Sequence, residues 1–95
     1  MSNTASYNAV ITVVGHDRVG IIAQVTRILA DANVNILDIS QTILQDVFTM
    51  IMLVDTAAMS LSNDDLRGVL TDLGKSLNLN IQLQHKVIFN AMQRI

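Results

Sequence analysis

The chain has 95 residues, of which 51% are hydrophobic and 15% charged, with a mean hydropathy of +0.43. That length suits one hydrophobic core, and so much apolar side chain excludes a disordered tail or linker. Six Lys and Arg against eight Asp, with no Glu, give a net charge of −2, which argues against nucleic acid or an anionic membrane as the main partner.

Residues 1–7 are small and polar and read as a flexible tail ahead of a single domain over residues 8–95. Residues 8–15 (NAVITVVG) form a β-branched run ending in glycine. This reads as a strand buried on both faces and central in a sheet, with Gly15 allowing a sharp exit. After the polar turn His16-Asp17-Arg18-Val19-Gly20, Ile21, Ile22, Val25, Ile28, Leu29 and Ala32 recur at helical spacing. Asn33 closes that helix in a left-handed conformation.

Residues 34–45 read as a second strand. Leu37, Ile39 and Ile43 share one parity, and Asp38, Ser40 and Thr42 the other. Ile36 breaks the alternation, which suits a bulge near Leu37. A polar face suits an edge strand or a subunit contact. Gln45-Asp46 is a turn, and residues 47–55 (VFTMIMLVD) are a third strand, apolar on both faces.

Ser62, followed three residues later by Asp65, predicts a capped helix with Leu66, Val69, Leu70, Leu73 and Leu77 as its core stripe. Residues 79–85 alternate as a fourth strand. Ile88, Phe89, Met92 and Ile95 predict a short C-terminal helix. Met50, Met52, Met59 and Met92 read as core packing, with an adaptable contact surface as the alternative.

The order is β-α-β-β-α-β, an α+β, ferredoxin-like antiparallel sheet with two helices on one face, plus the short C-terminal helix. Phe48, Met50, Met52 and Val54 are too apolar to face water. They predict an open sheet face covered by the terminal helix of another chain or by a second subunit. Stable monomer surfaces carry roughly 25–35% charged residues, so part of this chain's apolar surface is expected to meet another chain.

The chain has no Cys, Pro or Trp, so disulfides, thiol chemistry and Cys-bound zinc are excluded. The first ten residues lack the basic and apolar regions of a signal peptide, and no apolar run approaches the roughly 20 residues of a membrane helix. The expected compartment is the cytoplasm. His16 and His85 match no zinc spacing, and no nucleophile turn, P-loop or cofactor motif is present. Catalytic residues, metal and cofactor are therefore not expected.

The stretch VVGHDRVGI, residues 13–21, carries the most information. Amides at a helix start favour an anionic group such as a carboxylate. Arg18 adds a forked carboxylate contact, and Asp17 can accept an ammonium. An amino acid would find both complements within a few residues. The alternative is an ordinary helix start with Asp17 as N-cap and nothing bound.

These segments resemble an ACT domain over residues 8–85. They are similar to the ACT domain of glycine-cleavage-system repressors and to related small single-ACT bacterial proteins. In those the turn reads D-R-P-G-I, the second strand N-I-x-D and the third F-T-x-I-M-L. Here they read Asp17-Arg18-Val19-Gly20-Ile21, Asn35-Ile36-Leu37-Asp38 and Phe48-Thr49-Met50-Ile51-Met52-Leu53. Val19 stands where many members have Pro.

The resemblance implies that two copies pair edge to edge, with an amino acid bound in the seam. His16, Asp17, Arg18, Val19, Gly20 and Ile21 would form one wall, and Asn35, Ile36 and Asp38 of the other copy the second. Asn35 leads, because a carboxamide both donates and accepts; a plain turn role is its alternative. Asp38 can bind ligand or metal, pair with Arg18, or face solvent. Serine-binding members carry Asn where Asp17 stands, so serine fits poorly. The expectation is a non-enzymatic regulatory homodimer or higher homo-oligomer that binds an amino-acid-like effector. With no second domain in 95 residues, its output would pass to a separate, unidentified partner protein. The alternative is a ligand-free oligomerisation or adaptor module.

Overall fold

A computed structural model describes residues 7–16 and 19–85. Residues 1–6 of the expected tail, Asp17, Arg18 and the expected C-terminal helix lie outside the described residues. The observed order is β1 (Ala9–His16), α1 (Ile21–Asp31), β2 (Asn35–Leu44), β3 (Val47–Asp55), α2 (Asn63–Leu77) and β4 (Asn80–His85). Every strand pairing is antiparallel, in the order β2-β3-β1-β4. The ferredoxin-like arrangement holds, with β1 central and β2 at one edge.

Strand pairing stacks the side chains in rows. On the helix-covered face, Ile39, Met52, Ile11 and Leu83 form one row, and Gln41, Met50, Val13 and Ile81 the next. On the other face, Ser40, Ile51, Thr12 and Gln82 align, as do Asp38, Leu53, Val10 and Gln84. Ile11, Leu29, Met50, Met52, Leu66 and Leu70 are enclosed between sheet and helices. Each such side chain contributes about 1.5–3 kcal/mol by leaving water.

This corrects the expectation for β3. Phe48, Met50, Met52 and Val54 do not form the open face; they are the core under the helices. The open face carries Val47, Thr49, Ile51 and Leu53, with Ile51 43% exposed. Both parities of β3 are apolar, so alternation alone left the choice of face open. The same holds for β1, which is buried on one face while Val14 on the other is 38% exposed.

The helices follow their stripes with two shifts. In α1, Ile21, Val25 and Leu29 are buried, while Ile22 sits at the rim. In α2, Leu66, Leu70 and Gly74 are buried and Val69 is exposed. Gly74 takes the buried position because the chain returns tightly over it: its carbonyl accepts the Leu79 amide at 2.7 Å. Asn78, left-handed at φ 58, makes that return. Gly15 also differs from expectation. It lies inside β1, opposite Phe48, and a side chain there would overlap Leu79. Its role is packing space.

Asn33 is left-handed as expected, at φ 60, and Gln45 forms the β2–β3 turn at φ 57. The Ser62 hydroxyl accepts the Asp65 amide at 3.1 Å, capping α2. The register shift falls between Ile36 and Asp38, placing the bulge at Leu37.

Three substitutions test these assignments. Gly68→Ala is expected to raise stability by about 1 kcal/mol, the helix-propensity difference, because a Cβ there meets nothing within 4 Å. Gly74→Ala carries the same propensity gain but sets a Cβ 2.8 Å from the Leu79 carbonyl oxygen, so it is expected to destabilise. Ser62→Ala is expected to cost about 1 kcal/mol through the lost cap. Urea melts of the three variants against the parent chain read both signs.

Candidate functional site

Strand β1 delivers the chain to its turn at His16. The exposed imidazole lies 3.6 Å from the Asp46 carboxylate, beside the β2–β3 turn. Val19 is exposed, and Gly20 precedes α1 with φ +89. That conformation strains any residue with a Cβ, so glycine fixes how the helix begins. Gly20, not Asp17, is the N-cap, and it offers no side chain to the helix amides. The first amides of a helix have no acceptor within the helix, and they point along its positive pole.

A cleft of about 500 Å³ opens beside this helix start. Gly20, Ile21, Ile22 and Ala23 form one wall, Gln41 and Ile43 of β2 another, and Phe48 of β3 the floor. Gln41 faces inward because the Leu37 bulge resets the parity of β2, putting Ile39, Gln41 and Ile43 on the helix side. The strand is only partly covered there, with Ile43 53% exposed. The arrangement combines a positive helix end, a carboxamide able to donate and accept, and an apolar floor. It suits a small anionic group attached to a short apolar body.

A second cleft, of about 530 Å³, lies at the opposite end of the sheet. Asn33, Asn35 and Asp55 supply its polar lining, with Ala30, Val34, Ala57 and Ala58 around them. The Asn33 amide donates to the Ala58 carbonyl at 2.9 Å. Asp55 Oδ1 accepts the Ala57 amide at 3.0 Å and the Asn8 side-chain amide at 3.3 Å. This cleft sits at the carboxyl end of α1, the negative pole, and carries an anionic side chain. It suits a cationic group.

The expected site residues are therefore divided within one chain. His16, Val19, Gly20 and Ile21 gather at one end. Asn35 and Ile36 stand at the other, because Asn35 pairs with Asp55 whereas His16 pairs with Val47. The length of β1 between them, at about 3.3 Å per residue, makes a separation of about 23 Å. Ile36 is half-buried against the core. Asp38 belongs to neither cleft; it shares the open face with Leu53, and its carboxylate accepts the Ile39 amide at 2.9 Å. His85 ends β4 opposite Ala9, at the far end of β1 from His16. Among the described residues no group of three metal-ligating side chains converges. Nor is any described helix long and apolar enough to cross a membrane.

Sequence reasoning missed Gln41, Ile43 and Phe48 in the first cleft and Asn33 and Asp55 in the second. For Gln41 a signal exists: it is the one polar residue between Ile39 and Ile43 on their shared parity. For Asp55, at the end of an apolar strand, the sequence offers no signal.

Comparison with known proteins agrees with this fold. The ACT-domain family profile matches residues 8–86. A UPF0237 protein of Clostridium acetobutylicum is 52% identical over 87 residues, covering 92% of this chain and 98% of that protein. An ACT domain protein from Streptococcus pneumoniae superposes with a TM-score of 0.76 at 39% identity, covering 88% of this chain and 94% of that one. A structure described as a candidate glycine cleavage system transcriptional repressor superposes with a TM-score of 0.68 at 30% identity, covering 83% of this chain and 45% of that one. With the fold and the sequence matches in agreement, the chain belongs to the ACT-domain family of regulatory ligand-binding modules.

Proposed function

We propose that this chain is a non-enzymatic regulatory module that works as a homodimer, binds an amino-acid-like effector and signals to a separate partner protein in the cytoplasm. The observation that carries the reading is the cleft at the uncapped start of α1, with Gln41 opposite. It presents a carboxylate with helix amides, an uncharged donor and an apolar floor.

The division of the site supports a pair of chains. Edge strand β2 runs ten residues without a basic side chain, and it exposes Ile39, Ile43 and Leu44. Two such edges laid antiparallel about a two-fold axis would carry the Asn35 end of one chain to the Gly20 end of the other. The carboxylate-favouring cleft of one chain would then lie near the ammonium-favouring cleft of its partner. A zwitterion spanning them would bias how the two chains sit together, and a third protein can read such a change.

The apolar stripe on the open sheet face favours a second reading, a ligand-free adaptor. Val10, Val14, Ile51 and Leu53 line it, between Asp38, Ser40 and Thr42 on β2 and carboxamides on β4.

A melting screen against the twenty amino acids, with and without divalent metals, separates the two readings. At a concentration 100 times Kd, an effector should add about 2.7 kcal/mol of stability. Asn35→Ala and Gln41→Ala should each abolish the shift, and sedimentation should return the mass of two chains. A flat response across the panel would leave the adaptor reading.

A further inference from the structure

The two edges of the sheet are built differently. The β2 edge presents ten residues without a basic side chain. The β4 edge, at the other side, is crossed by an arginine. From the first half of α2, Arg67 reaches down beside β4, and its Nη2 donates to the Leu83 carbonyl at 3.1 Å. The same guanidinium lies 3.6 Å from the Asp64 carboxylate, one turn earlier in the helix. Arg67 and Thr71 thus wall a shallow trough of about 220 Å³ whose other side is Ile81–Leu83 and Gln84.

Edge strands attract other edge strands, because their outward amides and carbonyls are an unfilled half of a ladder. In an antiparallel ladder both backbone groups of one residue point the same way, and those of the next residue point the opposite way. The Leu83 carbonyl faces Arg67, so Leu83 is an outward-directed residue, and it stands in the middle of the β4 edge. A strand approaching β4 would have to break this hydrogen bond. It would then either push the guanidinium aside or trap it, with Asp64, against a second sheet. A trapped charge is expensive to desolvate.

We infer that Arg67 closes the β4 edge to a second copy of this chain, so that assembly through strand addition is confined to β2. This goes beyond the proposed ligand-binding role and does not depend on whether an effector binds. A chain with two open edges would pair through β2 with one neighbour and through β4 with the next, building open-ended ribbons, whereas one with a single open edge stops at a closed pair.

The test is the mass of Arg67→Met and Arg67→Lys beside the parent chain at equal concentration, by light scattering. Methionine keeps an unbranched side chain but has no donor; lysine keeps a donor and a charge. Both are good helix formers at a half-exposed position, so α2 is retained, and circular dichroism melts confirm it. Arg67→Met is expected to form species of at least twice the parent mass, and Arg67→Lys to keep the parent mass. Gln82→Cys and Gln84→Cys, introduced together into a chain with no native cysteine, report where the new contact lies. They should cross-link between chains under mild oxidation with Arg67→Met and not with Arg67 present. A folded Arg67→Met chain at the parent mass overturns the assignment, as do larger species that fail to cross-link through β4. A monomeric parent chain would overturn the homodimer reading while leaving this test intact.

Discussion

The two described helices lie on the same face of the sheet, and the rest of the described fold follows from that. Strands β1 and β3 are apolar on both sides, so either face had enough hydrophobic side chain to be the core. The chain returns over one face after β1 and again after β3. The residues below it, from Ala9 and Val54 to Val13 and Met50, become the interior. Their neighbours of opposite parity stay at the surface. The helical layer is too narrow to cover β2 fully, leaving Ile39 and Ile43 partly bare. The first cleft opens there, between the start of α1 and the uncovered flank of the sheet.

Most of the architecture was legible from side-chain periodicity and turn chemistry. The apolar stripes located α1 and α2, Ser62 marked where α2 begins, and the broken alternation at Ile36 placed the bulge beside Leu37. What failed had a common cause. Periodicity says that two faces differ but not which one a helix will cover, so β3 was assigned the wrong way round. It also cannot see a tight chain return. Gly74 therefore displaced Val69 from the buried stripe of α2, and Gly15 proved to be space for Leu79.

The candidate site was legible in parts. The turn before α1 announced itself by its two glycines, and Gly20 holds the backbone conformation that demands one. Asn35 does line a cleft, though at the far end of the chain's own sheet. Asp38 stood out as a charge in a strand, yet the bulge sends it to the face away from both clefts. Gln41 is the converse: an unremarkable residue in sequence, it reaches the helix start because one extra residue upstream changes which way it points. Site residues set by local backbone geometry were readable, and those set by strand register were not.

The connectivity also orders how the molecule can assemble itself. Strands β2 and β3 are joined by the Gln45-Asp46 turn and can pair through local contacts. Strand β4 must meet β1 across most of the chain, since Val13 lies opposite Ile81, and distant pairings close late because a long loop costs entropy. Until β4 arrives, the far edge of β1 is itself unpaired. Arg67 lies on the helix that leads directly into β4, so the guanidinium travels with the strand it touches. The last strand to dock brings its own cover, and the growing sheet is exposed on that side only for the interval before docking.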